Sequence, residues 1–464
     1  MKNRIKLIGV LKISILLLMI STMLSNTTVT IYAESNTPST FTLPEIDAPL
    51  SEGIWIHNDN ELELASSSGT GGSSDPYMIE DLVIDTDDLV AIRIEDTTKH
   101  FEIRNCTVKA RWGIYLDNVT GGTAEIRNNT AHNCESDGIY LYRSNGTWIQ
   151  DNILFNNWRG MEIRESYVVF INNNYVQSED AGIFIYRSPY ASLTDNEMHG
   201  DGININFNSL DDAVTIVESG STVNDEPVLF LKNTDSFTTS IEYGQIILIN
   251  CSSIDVTGQT LTNIDIGMTM YFCIDIEITD CIFGNGDTGI EVIFVDTLVV
   301  TDCDFINLSD GIYIVDGYDH LIFLNNFEDN TDGIYADGAG GLTIERNNFY
   351  NNSYGGVELE YCYWCNIYWN NFTDNGYDSG YQALDDENSP SFPNLWYENN
   401  SNTGNWWSDH ISGNYSIYGS SGLFDLYPLS TPYYLIPEFS MDFWIIITSF
   451  ILFAFIIPVF RKRK

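Results

Sequence analysis

The sequence has few basic residues. Its 464 residues include 20 Lys and Arg against 65 Asp and Glu, a formal charge of −45 at pH 7. Nucleic-acid-binding surfaces need clustered positive charge, so this composition excludes a nucleic-acid partner. A strongly acidic surface keeps an extracellular protein soluble and attracts divalent cations. The chain has six His, and their positions form no periodic cluster, so a copper site has no evident ligand set.

The body of the chain also lacks amphipathic helical periodicity. A leucine-rich repeat would need a Leu-x-x-Leu-x-Leu frame followed by a helix, and β-propeller blades would need a period of about 40 residues or more. Neither pattern is found, so both architectures are excluded.

What the sequence does contain is a repeat of glycine followed by alternating apolar residues. The clearest copies begin at Gly138, Gly182, Gly311 and Gly333, and looser copies begin at Gly113, Gly160, Gly202, Gly267, Gly289 and Gly356. Within each of the two blocks, 113–202 and 267–356, consecutive glycines are 20–25 residues apart. Apolar residues one and three positions after each glycine predict a strand with one buried face. We expect the glycine to open the strand at a corner with positive φ.

This period predicts an all-β fold, a right-handed parallel β-helix of about 13 coils of 20–25 residues, because one coil cannot bury its apolar face alone. A second strand in each repeat ends on a polar column, in which each amide is expected to bond the next coil about 4.8 Å away. The column consists of Cys106, Asn129, Asn152, Asn173, Asn196, Cys281, Cys303, Asn326, Asn348 and Asn371. Such a ladder is a structural device, so these residues are not proposed as catalytic.

Changes in composition divide the chain into segments. They predict a signal peptide at 1–33, a linker at 34–52, an N-terminal cap at 53–78, the β-helix at 79–375 with a projecting lobe at 207–243, an aromatic C-terminal cap at 376–431, a linker at 432–438, a transmembrane helix at 439–460 and a cytoplasmic basic tail at 461–464. The basic tail after the apolar run places the body outside the cell by the positive-inside rule. Glycosylation sequons at Asn118, Asn145, Asn307 and Asn414 fit an extracellular glycoprotein.

The eight Cys include pairs that match the period. Cys251 and Cys273 are 22 residues apart, as are Cys281 and Cys303, so each pair is expected on adjacent coils. Parallel Cβ vectors favour buried thiols, with disulfides as the alternative. The Cys-x-x-Cys motif ending at Cys365 has no second Cys or His pair, so a thiol pair or local disulfide is favoured over a zinc site.

The outward positions of the repeat give the candidate functional surface. Its glycan-binding candidates are Tyr115, Tyr140, Tyr142, Arg143, Glu165, Phe184, Tyr186 and Arg187, with Tyr313 and Tyr335 as further outward rings. Rings in a row can stack on sugar faces, and Arg and Glu can bond hydroxyls. The alternative is that exposed aromatics simply favour cross-strand pairing. Calcium is a possible cofactor at Asp137, Asp201, Asp310 and Asp332, although an Asp before a Gly more often caps a turn.

The Gly-Ile-Tyr-Leu and Asn-Asn repeats resemble the right-handed β-helix of NosD-type and pectate-lyase-like proteins. Stretches 69–77, 79–84, 223–233, 245–251, 405–409 and 425–429 resemble the archaeal surface-anchored branch of this group, over about 55–460. The resemblance implies the fold and the anchoring more than a function. NosD is named for copper maturation of a periplasmic reductase, and lyases and hydrolases on this fold use carboxylates, often with Ca²⁺, and a basic residue.

The family's catalytic motifs are not found in order. Asn233, Thr234 and Asp235 resemble a polygalacturonase triplet that lacks its companions here, and Asp75-Pro76 is not followed by the His-Glu of alginate epimerases. No catalytic residue is therefore assigned. The first hypothesis is a single-pass cell-surface protein with a binding or structural role toward extracellular glycans or cell-envelope proteins. The alternatives are a polysaccharide lyase or glycoside hydrolase and, less favoured, NosD-like copper handling.

Overall fold

The computed structural model describes residues 52–207, 209–386 and 392–433. The predicted signal peptide at 1–33, transmembrane helix at 439–460 and basic tail at 461–464 lie outside these residues. In the part of the chain that is described, no helix is long and apolar enough to cross a membrane.

The described residues form a right-handed parallel β-solenoid of about 14 turns, which confirms the predicted fold class. Its strands fall into two successive stacks, each with three rows of parallel strands. Two short helices interrupt the pattern, α1 at Asp59–Ala65, capped by the Asn58 side chain, and α2 at Leu210–Ala213.

The first stack has three rows. Sheet one contains Ile54–Ile56, Val90–Glu95, Trp112–Asp117, Asp137–Tyr142, Arg159–Arg164, Ile183–Tyr186 and Ile203–Asn206. Sheet two contains Tyr77–Glu80, Phe101–Arg104, Ala124–Arg127, Trp148–Gln150, Phe170–Asn172, Ser192–Thr194 and Val217–Ser219. Sheet three contains Val83–Asp85, Thr107–Lys109, Thr130–His132, Ile153–Asn157, Tyr175–Ser178, Glu197–Met198 and Thr222–Val223.

The second stack repeats this arrangement. Sheet four contains Glu226–Lys232, Gln245–Ile249, Ile266–Tyr271, Ile282–Ile293, Asp304–Val315, Asp332–Asp337, Gly355–Glu360 and Ala383–Asp386. Sheet five contains Asp235–Thr238, Ser252–Thr257, Ile274–Thr279, Asp296–Thr301, Leu321–Phe323, Thr343–Glu345 and Asn366–Tyr368. Sheet six contains Thr260–Thr262, the starts of the two long strands, Asn326–Glu328, Asn348–Tyr350, Asn371–Thr373 and Trp406–Trp407. A hairpin of Tyr415–Ser416 and Phe424–Asp425 follows.

The core lies between these rows, and the alternation of the glycine strands fills it. All side chains one and three positions after the ten repeat glycines are buried, as predicted. Pairing in register places like on like, for example Ile139 beside Ile114 and Ile312 beside Ile290. Parallel stacking therefore turns a 22-residue sequence period into continuous apolar columns.

The predicted conformation of the repeat glycines was wrong. None of these ten glycines, all of which are described, has positive φ. The repeat positions require glycine because there is no room for a side chain. A Cβ on Gly311 would lie 2.4 Å from the Gly333 carbonyl oxygen and 2.7 Å from Cδ1 of Phe327. A side chain here would collide with the next coil, so the column is glycine because the backbone approaches closely.

The polar ladder exists, but part of it was predicted one residue out of place. Its buried members include Cys106, Asn129, Asn152, Asn174 and Asn196 in the first stack and Cys281, Cys303, Asn325, Asn347, Asn370 and Asn405 in the second. Each Asn side chain accepts from the backbone N–H one coil earlier, as Asn152 does from Asn129 at 3.0 Å.

The predicted ladder members Asn173, Asn326, Asn348 and Asn371 lie beside these buried residues. Asn173 occupies a left-handed turn position with φ 52°, and the other three begin the next strand. Each has an Asn neighbour in the sequence, so the residue type does not reveal which of the two points inward.

The cysteines are buried thiols. All eight lie within the described residues, and none forms a disulfide. The period-matched pairs do stack on adjacent coils. The Cys251 N–H donates to Cys273 Sγ at 3.4 Å, and the Cys281 N–H donates to Cys303 Sγ at 3.4 Å. The favoured interpretation of buried thiols agrees with this arrangement.

Segment 207–243, predicted as a projecting lobe, contains α2 and the connection between the stacks. Ala213, Ile216 and Val223 are buried there in the core of the first stack. Strand Thr222–Val223 pairs antiparallel with Glu226–Lys232, which then pairs parallel with Gln245–Ile249. This single reversal joins one stack to the next.

A column of stacked aromatic rings fills one side of the second core. Phe283, Phe305, Phe327, Phe349 and Phe372 are fully buried, with ring centroids 4.7–5.0 Å apart. In the predicted C-terminal cap, Trp407 continues the column, stacking on Phe372 at 4.2 Å.

Candidate functional site

The outward side chains of sheet one form two columns, because parallel pairing aligns the same position of every coil. The first column contains Trp55, Arg93, Tyr115, Tyr140, Glu162, Phe184 and Asn204. The second contains Glu95, Asp117, Tyr142, Arg164, Tyr186 and Asn206. Arg143, Glu165 and Arg187 follow the second column at turns with φ of 46–48°. Five of the eight glycan-binding candidates therefore lie on one face of sheet one, and the other three occupy the turns that follow its strands.

The aromatic surface on this face is interrupted. Tyr115 and Tyr140 stack with ring centroids 4.7 Å apart and planes 27° apart. The next coil contributes Glu162 to the first column and Arg164 to the second, before the column returns to a ring at Phe184. The face thus combines flat rings with charged groups. The other predicted rings, those of sheet four, lie in the second stack.

Guanidinium groups cover several of these rings. Arg93 lies over Trp55 and Tyr115, Arg143 over Tyr142, Arg159 over Phe184, and Arg164 and Arg187 over Tyr186, with Cζ 4.4–4.9 Å from each centroid. Arg143 Nε also donates to Glu165 Oε2 of the next coil at 3.0 Å. The rings and the planar cations hold one another in place.

A cleft of about 330 Å³ opens on this face. It is lined by Leu89, Val90, Arg93, Trp112, Tyr115, Ser136, Asp137, Tyr140, Glu162 and Arg164. From the predicted surface it contains Tyr115 and Tyr140, and from the calcium candidates it contains Asp137. The cleft therefore combines a stacked tyrosine pair with two acidic and two basic side chains.

Asp137 is the buried acid of the cleft. Its side chain is 3% exposed, and Oδ2 accepts hydrogen bonds from Trp112 Nε1 at 3.0 Å and Ser136 Oγ at 3.1 Å. Oδ1 has no hydrogen-bond partner among the described residues. Burial, and then the negative charge of Glu162, raise the pKa of Asp137 to about 6. This carboxyl therefore binds a proton at a higher pH than an ordinary Asp does.

Glu162 has different partners, although it is almost as buried at 4% exposed. Arg159 Nη1 donates to its Oε2 at 2.8 Å, and Arg164 Nε donates to its Oε1 at 2.6 Å. Charge-assisted bonds of this kind fix a carboxylate firmly. The cleft thus presents two acidic groups, Asp137, which is hydrogen-bonded to Trp112 and Ser136, and Glu162, which is bonded to two arginines.

Sequence reasoning missed Arg93 and Glu162. Glu162 is two positions after Gly160, the same position that selected Tyr140, so reading charged residues in that column would have found it. Arg93 lies two positions after Ala91, and Ala91 occupies the position that glycine has in the other strands of sheet one. A search for the glycine repeat therefore does not find Arg93.

The four calcium candidates are not brought together. Asp137 lies in the cleft, and Asp201 is buried beside Ser178, whose amide donates to Oδ2 at 2.6 Å. Asp310 and Asp332 stack on adjacent coils of sheet four, where burial first raises their pKa values to about 6 and about 8. Within the described residues none of the four belongs to a group of three or more donors that could hold a metal. Calcium binding stays a prediction.

Two family profiles match the chain. The profile described as "Right handed beta helix region" matches residues 244–417, most of the second stack. The profile described as "Periplasmic copper-binding protein (NosD)" matches residues 72–218, most of the first. No curated protein matches the chain.

Several solved structures match parts of the chain. The Dettilon tailspike protein gp208 has 10% identity and a TM-score of 0.31, covering 67% of this chain and 62% of the tailspike. Tailspike protein 3 of bacteriophage CBA120 has 10% identity and a TM-score of 0.23, covering 82% and 60%. The A-module of the Azotobacter vinelandii mannuronan C-5 epimerase AlgE4 has 13% identity and a TM-score of 0.21, covering 75% and 96%.

The chain thus spans about three fifths of the length of the two tailspikes, and identities this low carry no inference about function. The two profiles cover successive parts of one continuous parallel solenoid. The first stack therefore matches the NosD profile and the second the right-handed β-helix profile, which together support a β-helix protein of the NosD type.

Proposed function

We propose that the outward face of sheet one binds extracellular glycans, with the cleft at Tyr115 and Tyr140 as its central subsite. The observation that carries this proposal is the stacked tyrosine pair beside Arg93 and two buried acidic groups in one cleft. Sugar rings present an apolar face that packs on aromatic rings and a rim of hydroxyls that bond charged side chains.

The competing explanation is that such rings stabilise the sheet by pairing across strands. Sheet four supplies the comparison, because Tyr313 and Tyr335 stack there at 5.5 Å in the same outward position of the repeat. These two rings do not line the cleft. A role in binding is therefore expected for the first tyrosine pair, and a role in pairing alone for the second.

A glycan array probed with the full chain tests the proposal. We expect retention on a subset of glycans and no change in their chain length, because a binding face holds its ligand without cleaving it. The eluted glycans are assayed for new reducing ends and unsaturated sugars. No retention on any glycan contradicts the proposal.

A second candidate function is a carbohydrate-active enzyme, and the two acids of the cleft favour it. Glycoside hydrolysis needs one protonated and one ionised carboxyl group, whose environments separate their pKa values. Asp137, with its pKa raised to about 6, fits the proton donor, and Glu162, held by Arg159 and Arg164, is the second carboxyl group of the cleft. Turnover in the same assay that disappears in Asp137→Asn would replace the binding function by this one.

We also propose that the body is displayed outside the cell by a single membrane-spanning helix at 439–460, with 461–464 in the cytoplasm. The sequence supports this, since 443–460 is almost wholly apolar and four basic residues follow. We expect the full chain to stay in the membrane fraction after alkaline washing and a chain ending at residue 438 to be released. Release of both forms contradicts the anchor.

A further inference from the structure

Two ligand-type side chains stand together at the end of sheet three. Glu197 and His199 are two residues apart, with the buried Met198 between them. The backbone continues in sheet geometry through this segment, since the His199 N–H donates to the Val176 carbonyl at 3.0 Å. Alternation along a strand therefore sends both side chains outward on the same face.

The connection between the stacks adds a third side chain. Strand Thr222–Val223 pairs with Glu197–Met198 one coil earlier, and the Asn224 N–H donates to the Met198 carbonyl at 2.9 Å. The chain then reverses through Asn224 and Asp225, whose φ values are 51° and 70°. This reversal sets the Asp225 carboxylate beside the two outward side chains of the preceding coil.

The turn is tied to both stacks. Asn224 Oδ1 accepts from the Gly200 N–H at 2.9 Å, and Asn224 Nδ2 donates to the Asn263 carbonyl at 2.9 Å. Tyr175 packs against the His199 ring with centroids 5.3 Å apart. The three outward groups are therefore presented by a fixed backbone.

We propose that Glu197, His199 and Asp225 form a binding site for a divalent first-row transition-metal ion. One donor atom from each lies within 4.8 Å of the other two, and His199 Nε2 is 2.8 Å from Glu197 Oε1. A metal–ligand bond is about 2.0–2.2 Å long, so small side-chain rotations bring all three donors onto one ion. The side chains of His199 and Glu197 are 27% and 54% exposed, which gives the ion access from solvent.

The donor set selects the class of ion. Imidazole with carboxylates suits Zn²⁺, Cu²⁺ and Ni²⁺, whereas Ca²⁺ takes six to eight oxygen ligands and gains nothing from a ring nitrogen. Three protein ligands leave coordination positions for water or a ligand. A bound ion would also link the last complete coil of the first stack to the turn that leads into the second. The site lies at sheet three and not on the glycan face of sheet one, so its test does not depend on the proposed function.

Titration of the full chain with Zn²⁺ by calorimetry tests this site. We expect one tight equivalent in the wild type, at least tenfold weaker binding in His199→Ala and in Asp225→Asn, and far weaker binding of Ca²⁺. His132→Ala is the matched control, since His132 lies in sheet three but stacks on Phe155 at 5.3 Å, and it should bind Zn²⁺ like the wild type.

Substitution of Co²⁺ for Zn²⁺ separates this site from the eight buried thiols. An absorption spectrum without a thiolate charge-transfer band is expected. Unchanged Zn²⁺ affinity in His199→Ala, an equal loss in His132→Ala, Ca²⁺ binding as tight as Zn²⁺, or a thiolate band from bound cobalt would each overturn the proposal.

Discussion

Replacing Phe327 by Ala is expected to lower the free energy of unfolding by about 3–5 kcal/mol, the cost of removing a buried Phe ring from a packed core. The ring is fully buried and stacks on Phe305 at 4.7 Å and on Phe349 at 4.9 Å. Its removal leaves a cavity that the rigid coils above and below cannot close. Urea unfolding followed by intrinsic fluorescence measures the change.

The matched control is Phe294→Ala. Phe294 also stacks on a ring of the preceding coil, Phe272, at 5.1 Å, but Phe294 is 46% exposed. A loss below about 1 kcal/mol is expected, as for most exposed positions. Equal losses in the two variants would show that ring pairing, and not core filling, stabilises the column.

Asn347→Ala is expected to lower the free energy of unfolding by about 2–5 kcal/mol. The substitution removes a side chain that bonds both neighbouring coils, and each buried polar group left without a partner costs about 1–3 kcal/mol. Asn347 Oδ1 accepts from the backbone N–H of Asn325 at 2.9 Å and from Asn325 Nδ2 at 3.1 Å. Asn347 Nδ2 donates to the Ile322 carbonyl at 2.8 Å and to Asn370 Oδ1 at 3.0 Å. Thermal unfolding monitored by circular dichroism measures the loss.

The adjacent Asn348 provides the comparison for this variant. Its side chain is partly exposed and donates to Asn326 Oδ1 at 2.7 Å. Asn348→Ala is therefore expected to cost under about 1 kcal/mol, within the usual range for a surface hydrogen bond. A larger loss for Asn348→Ala than for Asn347→Ala would contradict the placement of the ladder.

The sequence predicted the fold because its strongest signal is a period. Apolar residues one and three positions after each glycine repeat every 20–25 residues. Each coil of a solenoid contacts only its neighbours, so the fold follows from this period without knowledge of long-range contacts. The 22-residue spacing from Phe283 to Phe305, Phe327 and Phe349 carried the same information for the aromatic column. That column was missed because the search followed glycine.

Features that depend on local choice could not be derived in the same way. Asn347 and Asn348 are the same residue type, so composition does not distinguish the buried one. The glycine column fits two physical causes, positive φ and close approach, and the distance from Gly311 to the next coil decides between them. Both questions depend on atomic geometry that residue type does not encode.

The candidate sites depend on contacts outside the period. The eight glycan-binding candidates do lie along sheet one, but Arg93 and Glu162 of the cleft were missed, and Asp137 was considered only for calcium. Asp225 reaches Glu197 and His199 through the one antiparallel reversal in the connection between the stacks, which interrupts the repeat. A pattern search is least informative where the pattern breaks.

The most direct test of the glycan-binding face is a comparison of affinities for a glycan retained on the array. Calorimetric titration of the wild type, Tyr140→Ala and Tyr313→Ala is expected to show at least tenfold weaker binding for Tyr140→Ala, since it removes one ring of the cleft, and unchanged binding for Tyr313→Ala, whose ring lies in sheet four. Wild-type affinity in Tyr140→Ala would contradict the account.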